Sequence, residues 1–163
     1  MTVNEKARQQ LLKEIKEISD EDLNIKPTPD TWSIKQLLEH LYLMEATITK
    51  TIKKQLAFGE VSIVDEKPIQ LAVNRSTKVE APDYVLPSEE FSTRDSLKDK
   101  LALSHQELVE VALQTDDTKL LEKAFTHPIF GQLNLQQWIH FVGYHELRHI
   151  EQIKEVKETL GLN

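Results

Sequence analysis

Cysteine is absent from the 163 residues of the chain, and its absence excludes several kinds of site. The chain can have no disulfide framework, no thiol nucleophile and no thiolate metal ligand. Any chemistry must therefore come from His, Asp, Glu, Tyr or a bound ion. No apolar run approaches the roughly 18 residues of a membrane-spanning helix, and residues 1–10 lack the apolar core of a signal peptide. We therefore expect a cytoplasmic protein with no membrane partner.

Glycine is also scarce, and acidic residues outnumber basic ones. Four glycines favour long helices and cannot build a nucleotide-binding glycine loop. The net charge is −7, and the lysines are interleaved with Glu and Asp. Both features disfavour a nucleic-acid partner, because phosphate neutralisation requires clustered Lys and Arg. A chain of this length and ordinary composition is expected to fold as one domain over residues 1–163.

Four segments have the apolar period of amphipathic helices. Ser33 and Asn134 are typical N-caps of the second and the fourth, and each is followed three residues later by the glutamine of a capping box. The pattern predicts an all-α four-helix bundle. The four predicted helices cover residues 3–19, 34–58, 88 or 92 to 114, and 135–160, with a helical turn at 118–124.

The segment between the second and third helices, residues 59–87, has no sustained helical period. It contains three prolines and a short β-prone piece at 61–64. The prolines interrupt regular structure, and so short a piece does not justify a prediction of strands. A connection of this length is unusual within a compact domain. In a bundle it indicates a long crossover, so the two helices that it joins need not be antiparallel. Residues 126–131 are expected to form a loop, and no convincing sheet is predicted.

The fourth helix carries the main indication of function, His145 and His149. Residues four apart on a helix face the same way, and both histidines fall on the apolar stripe between Val142 and Ile153. Two uncoordinated imidazoles in an apolar seam would each need partners for both ring nitrogens. A metal ion satisfies one nitrogen of each ring, and an outer acceptor can bind the other. The alternative is a pair of solvated or core histidines.

His40 is the third candidate ligand. It lies at the edge of the apolar stripe of the second helix, beside Leu37 and Met44. A single histidine in such a position is more often part of the core, so its interest comes from combination with the pair on the fourth helix. Three neutral imidazoles suit Zn, Ni or Fe and leave a coordination position open.

Residues 145–149 also match the HExxH pattern of metalloproteases, in which the glutamate is the general base. That function requires a further ligand downstream and a cleft beside an edge strand. Only 14 residues follow His149, and no sheet is predicted, so a peptidase is disfavoured. Glu146 lies one position off the apolar stripe. It is expected to be a surface carboxylate, or else an acid–base group near the metal.

The remaining polar candidates are weaker. His105, on the inner face of the third helix, is expected in the core, with a fourth ligand as the alternative. His127 is expected in a loop, and His140 lies about 140° around the helix from His145, too far to share its metal.

Glu45 falls on the apolar stripe of the second helix and therefore requires an Arg or His partner across the bundle. Tyr42, Tyr144 and Gln152 could also approach the site.

Three stretches together resemble the DinB-like (DinB/YfiT) family of metal-dependent enzymes. They are TWSIKQLLEHL at 31–41, HPIFGQLN at 127–134 and YHELRHIEQI at 144–153. Each motif alone is weak, but their combination in this order covers nearly the whole chain. The resemblance implies a four-helix bundle with a long crossover. It also implies a metal site at His40, His145 and His149, in agreement with the choice made from the residues.

The resemblance further implies one zinc or nickel ion, homodimers in several members, and thiol S-transferase activity in some members with bacillithiol, mycothiol or glutathione. We expect a metal-dependent transferase that presents a low-molecular-weight thiol to a small-molecule electrophile, with Glu146 or Tyr144 transferring protons. The lack of cysteine agrees, since the sulfur would come from the cosubstrate. The alternatives are a metal-dependent hydrolase and a non-enzymatic metal-binding stress protein.

Overall fold

The computed structural model describes residues 2–162, so Met1 and Asn163 of the predicted domain lie outside the described residues. Within residues 2–162, six α-helices and one hairpin follow one another. Two short 3-10 helices, Ile69–Val73 and Asp83–Val85, lie in the crossover. The α-helices and strands are α1 (Val3–Ile15), α2 (Asp20–Leu23), α3 (Ile34–Phe58), α4 (Arg94–Gln114), α5 (Asp117–Glu122), β1 (Ala124–His127), β2 (Gly131–Asn134) and α6 (Leu135–Leu160).

The long helices α1, α3, α4 and α6 form the predicted four-helix bundle. Contacts between α1 and α6 advance together along both helices, from Asn4 with Ile139 to Glu14 with Lys157, so these helices are parallel. Apolar clusters pair the first half of α3 with the first half of α4, and the later halves with each other. Hence α3 and α4 are also parallel, and both run antiparallel to α6.

The parallel arrangement of α3 and α4 explains the long crossover. The 25 residues of α3 span about 37 Å at 1.5 Å per residue, and the chain must return over that length before α4 begins. Residues 59–93 make this return. No strand forms in this described segment. The crossover packs along α6, where Arg148 donates hydrogen bonds to the carbonyl oxygens of Ala72 and Thr77 (3.2 and 2.7 Å).

Several predicted boundaries are wrong by a few residues. α1 ends at Ile15 rather than at 19, because Ser19 caps a new acidic helix by accepting a hydrogen bond from the amide of Asp22. α4 begins at Arg94, after the N-cap Thr93, and not at 88 or 92. Ser19 and Thr93 have an extended backbone, and their side chains accept hydrogen bonds from the amides of Asp22 and Ser96. These hydrogen bonds compete with those of a helix that runs through the cap residue.

The expected loop at 126–131 is instead part of an antiparallel hairpin, in which β1 pairs with β2 from Ala124 with Asn134 to His127 with Gly131. Gly131, the first residue of β2, has a φ of +76°, a conformation that glycine adopts without strain. The strands are only four residues long, too short for a period-two pattern. Across residues 2–162, no helix combines the length and apolar character needed to cross a membrane.

The core of the bundle is divided by a polar layer. One apolar cluster joins the ends of α1 and α6 to the beginnings of α3 and α4. A second cluster surrounds Trp138 and Phe141 at the other end of the bundle. Between them lie buried polar side chains, among them three histidines and an Arg–Glu cluster.

Candidate metal centre

The three predicted ligands meet in this polar layer. His145 and His149 lie one turn apart on α6, and His40 faces them from α3. The Nε2 atom of His145 lies 3.1 Å from Nε2 of His40 and 3.1 Å from Nε2 of His149. The three ring nitrogens lie within 4.8 Å of one another. All three histidines are at least nine-tenths buried.

The local structure fixes which histidine positions face one another. Ser33 begins α3 with the predicted capping box, in which its side chain and that of Gln36 exchange hydrogen bonds with each other's backbone amides. Asn134 caps α6 by accepting from the amide of Gln137. Two well-defined helix starts therefore set the register in which the antiparallel helices bring their histidines together.

Two of the imidazoles have a defined tautomer. The Nδ1 atom of His40 lies 2.9 Å from the carbonyl oxygen of Val85, which can only accept, so Nδ1 carries the proton. The Nδ1 atom of His149 likewise lies 2.9 Å from Oε1 of Gln152. In a neutral imidazole with a protonated Nδ1, Nε2 is a lone-pair acceptor. His40 and His149 therefore direct lone pairs towards Nε2 of His145.

This arrangement fits a divalent metal ion better than it fits hydrogen bonds alone. Nε2 of His145 can carry at most one proton, so it can donate to only one of its two neighbours. The other contact would then set two nitrogens against each other without a proton between them. Two ligands on a tetrahedral zinc ion, with bonds of about 2.0–2.1 Å, are about 3.3–3.4 Å apart, close to the two 3.1 Å distances from Nε2 of His145. Neutral imidazoles with outward-facing Nδ1–H groups are the usual form of histidine ligands.

The electrostatics keep the three rings neutral. Burial lowers the pKa of His40 and, strongly, that of His145. Burial, with the nearby His40, also lowers the pKa of His149 to about 3. A protonated imidazole cannot bind a metal, so the environment selects the ligand form at neutral pH. Trp32 packs against the His40 ring and Phe141 against the His145 ring, with centroid distances of 5.1 and 5.7 Å, and both exclude water from the rings.

Glu146, a predicted acid–base residue, lies in the adjacent ionic cluster. Its two oxygens accept hydrogen bonds from Nε and Nη2 of Arg8, at 2.9 and 3.1 Å. It is buried, so the expectation of a surface carboxylate was wrong. The reason is that α1 packs against α6 and widens its buried arc beyond the apolar stripe. Burial raises the pKa of Glu146 above its ordinary value, despite the opposing hydrogen bonds of Arg8.

Glu45 has the partners that its position requires. Its carboxylate accepts from Arg8 Nη2 at 3.1 Å and from the Ser104 hydroxyl at 2.6 Å, and it lies 3.1 Å from Nδ1 of His105. Burial alone would raise the pKa of Glu45, but His105, Arg8 and Ser104 together hold it below its ordinary value. His105 is therefore a partner of Glu45 at the edge of the ionic cluster.

Tyr144, His127 and His140 are the remaining candidates, since Gln152 contacts His149. Tyr144 is half-buried and packs against the second apolar cluster, and its role in proton transfer stays a prediction. His127, expected in a loop, ends β1 and is buried, and its Nδ1 accepts from the amides of Ile129 and Phe130. Burial lowers its pKa to about 4. His140 does not join the metal-binding group found in residues 2–162.

Sequence reasoning missed three partners of the site: Arg8, Arg75 and the carbonyl of Val85. The sequence indicates Arg8 only indirectly, because a buried Glu45 requires a cationic partner. The other two belong to the crossover, where no periodic pattern indicates which residues return to the helices.

A four-helix bundle with three converging, neutral histidines in its core defines a class of candidate metal-dependent bundle proteins. The DinB superfamily model matches residues 4–153, so the chain belongs to the DinB superfamily. This confirms the family resemblance and the fold that it implied.

Two curated proteins are similar to this chain over most of its length. The chain is 34% identical over 162 residues to the Bacillus subtilis (strain 168) protein YuaE, described as uncharacterized, and covers 98% of both sequences. It is 23% identical to a "putative metal-dependent hydrolase" of Oceanobacillus iheyensis, over 86% of this chain and 73% of that protein.

Two solved structures share the fold. The four-helix bundle protein TT2238 superposes with a TM-score of 0.63 at 19% identity, with 94% of each chain covered. YfiT from Bacillus subtilis, described as "a probable metal-dependent hydrolase with an unusual four-helix bundle topology", superposes with a TM-score of 0.64 at 17% identity. The match covers 99% of this chain and 85% of YfiT.

Proposed function

We propose that this protein is a metal-dependent enzyme that transfers a low-molecular-weight thiol, such as bacillithiol, to an electrophilic small molecule. One observation carries the proposal: three buried, neutral imidazoles present their Nε2 atoms to one another at ligand-like spacing. His40, His145 and His149 are the proposed ligands. One zinc or nickel ion is the proposed cofactor, because imidazole suits both metals.

A set of three histidines favours a reactive site over a structural one. Structural zinc sites are generally closed by four protein ligands, whereas catalytic sites have three and leave a position for water or substrate. The imidazoles carry no charge, so they would not neutralise the charge of a divalent ion. The chemistry that such an ion supplies is Lewis acidity, which deprotonates a coordinating thiol and lowers the pKa of water.

The acid–base groups near the imidazoles favour a thiol as the nucleophile. Among the described residues, no carboxylate oxygen shares the 4.8 Å group of ligand atoms, and both oxygens of Glu146 bind Arg8. A divalent metal ion lowers the pKa of bound water but deprotonates a coordinating thiol outright, so attack by a thiol depends less than attack by water on a positioned general base. Proton transfer by Glu146 would require its carboxylate to leave Arg8, and Tyr144 is the other candidate.

Hydrolysis at the same site is the second candidate function. It is favoured by the descriptions of the Oceanobacillus relative and of YfiT as metal-dependent hydrolases. Water would then replace the thiol as the nucleophile, and the same three histidines would be required. The third candidate function is that of a non-enzymatic metal-binding stress protein, in which the ion would only stabilise the bundle.

The requirement for an added thiol separates these functions. The metal-loaded protein is assayed with 1-chloro-2,4-dinitrobenzene in the presence and absence of bacillithiol, and with p-nitrophenyl acetate alone. In the first reaction a carbon–sulfur bond forms, chloride leaves, and the thiol proton goes to solvent. We expect thiol-dependent turnover that is lost in His149→Ala and retained in the control His140→Ala.

Other outcomes would assign a different function. Ester turnover without thiol, lost in His149→Ala, would favour the hydrolase. If neither electrophile is turned over, but the metal raises the melting temperature, the protein would be a metal-binding bundle rather than an enzyme of either class.

The proposal also includes a cytoplasmic setting and a homodimer. The cytoplasm keeps thiols reduced, which a thiol cosubstrate requires. Light scattering at several protein concentrations tests the dimer: a mass of one chain at all concentrations would contradict it. The homodimer is not needed for the chemistry at the three histidines.

A further inference from the structure

One side chain of the crossover, Arg75, is connected by hydrogen bonds to the candidate metal centre. Its guanidinium forms a two-pronged ion pair with Glu155 of α6, at 3.0 and 2.9 Å. The remaining nitrogen, Nη1, donates to Oε1 of Gln152 at 3.3 Å. Gln152 is in turn the partner of the His149 ring. A residue 74 positions before His149 in the chain is thus linked to this ligand through one amide.

Arg75 determines the orientation of the Gln152 amide. An amide side chain has an oxygen that accepts and a nitrogen that donates, and rotation by 180° exchanges them. A guanidinium has donors only, so the atom facing Arg75 must be the oxygen. The same oxygen lies 2.9 Å from Nδ1 of His149. Nδ1 must therefore carry the proton, which leaves Nε2 free to act as a metal ligand.

Loss of Arg75 would remove this constraint. The amide of Gln152 could then rotate and present its nitrogen to Nδ1 of His149. Nδ1 would become the acceptor, and the proton would move to Nε2, where it blocks metal binding. His149 can form a hydrogen bond with either orientation of the amide, so His149 alone does not select one of them. Arg75 makes the selection, and its ion pair with Glu155 helps to hold Arg75 in place.

The backbone on either side of Arg75 is held against α6. Arg148 donates from Nη1 to the Ala72 carbonyl at 3.2 Å and from Nη2 to the Thr77 carbonyl at 2.7 Å. A third hydrogen bond reaches the carbonyl of Asn74, the residue before Arg75. The position of Arg75 is therefore defined by backbone contacts as well as by its own ion pair.

We infer that Arg75 is a positioning residue for the metal site, which selects the metal-binding tautomer of His149 by orienting Gln152. The inference rests on the proposed metal-binding function of the three histidines. It assigns a role to the crossover, which supplies outer hydrogen bonds for two of the three ligands: Val85 for His40 and Arg75, through Gln152, for His149.

Zinc affinity in competition with a chromophoric chelator tests this inference. Loss of an outer partner of a histidine ligand typically weakens metal binding by about 10- to 100-fold, and we expect Arg75→Ala to fall in this range. Lys154→Ala is the matched control, because it removes an exposed cation of α6 that pairs with Glu151. It should leave the zinc affinity unchanged.

A second substitution makes the test specific. A carboxylate has acceptors only, so Gln152→Glu presents an oxygen to His149 in either orientation. In the Gln152→Glu background, Arg75→Ala should therefore cause much less than the tenfold loss expected in the wild-type background. An equal loss in both backgrounds would mean that Arg75 acts in another way, and would overturn the inference.

The tautomer can be observed without metal. In the metal-free protein, long-range ¹H–¹⁵N correlation spectra should show the Nδ1–H form of His149 in the wild type and a larger Nε2–H population in Arg75→Ala. An unchanged tautomer in Arg75→Ala would overturn the inference even if the wild type binds zinc. A wild type that binds no zinc but shows the tautomer shift would refute the proposed function and leave the role of Arg75 towards Gln152 supported.

Discussion

Replacement of Arg8 by alanine should be among the most destabilising single substitutions in the protein. Arg8 donates two hydrogen bonds to Glu146, one to Glu45 and one to the Leu101 carbonyl, the last at 2.7 Å. Glu45 and Glu146 are only 1% and 3% exposed. Without Arg8, two carboxylates remain in the core without their main counter-charge.

The expected loss is about 3–5 kcal/mol, the usual cost of removing one partner of a buried ion pair. An exposed pair such as Lys154 with Glu151 contributes only about 0.2–1 kcal/mol, so Lys154→Ala is the control. A folded domain is typically stable by about 5–15 kcal/mol, and the Arg8 variant should therefore remain measurable. Part of the loss would come from the missing side-chain volume of the arginine.

Urea unfolding followed by circular dichroism measures the effect, because urea, unlike guanidinium, does not screen charges. The electrostatic part is isolated by repeating Arg8→Ala in a background with Glu45→Gln and Glu146→Gln, where it should cost much less. A loss of less than about 1 kcal/mol in the wild-type background, no larger than that of an exposed pair, would refute the reasoning. So would an equal loss in both backgrounds.

Three further predictions concern pH, packing and metal. The pKa of Glu45 is lower in the folded protein than its ordinary value of 4.5. Ionised Glu45 therefore stabilises the fold above pH 4.5, and this stabilisation is lost as the pH falls through the folded pKa. The stability difference between wild type and Glu45→Gln in urea should therefore shrink at acid pH, and a difference that grows would contradict the assignment. In Gly143→Ala, the new Cβ would lie 2.8 Å from Asn4 Oδ1 and 2.9 Å from its backbone nitrogen; α1 must shift, and urea unfolding should record a loss of about 1–3 kcal/mol rather than a gain. Chelation of the metal-loaded protein should lower its melting temperature, since ligand at 100 times its dissociation constant adds about 2.7 kcal/mol; an unchanged melting temperature would argue against a bound ion.

The parts of this structure that follow from local patterns could be predicted from the sequence. The caps Ser33 and Asn134 and the apolar stripes determine where α3 and α6 begin and which faces they bury. The spacing of His145 and His149 on such a stripe already indicates that both bind the same metal ion. The lack of helical period in residues 59–87 predicted a crossover, and the parallel arrangement of α3 and α4 requires one.

The parts that depend on distant partners could not be predicted. Arg8 and Glu146 are 138 positions apart, and no local pattern distinguishes Arg8 from the other cations. Glu146 lies one position off the apolar stripe of α6, which predicts a surface carboxylate, but α1 covers this side of α6 and buries Glu146. Arg75 lies in an aperiodic segment, and its role depends on where the crossover returns to α6.

The central claim is that His40, His145 and His149 bind one divalent metal ion. The most direct test is metal content by plasma mass spectrometry, on protein purified without a histidine tag or chelator and then incubated with zinc or nickel. His145→Ala and His149→Ala are measured beside the wild type, with His140→Ala as the control. We predict about one zinc or nickel ion per chain in the wild type and in His140→Ala, and loss of the ion in the other two variants. A wild type that stays metal-free, or an ion that persists in both His145→Ala and His149→Ala, would contradict the account.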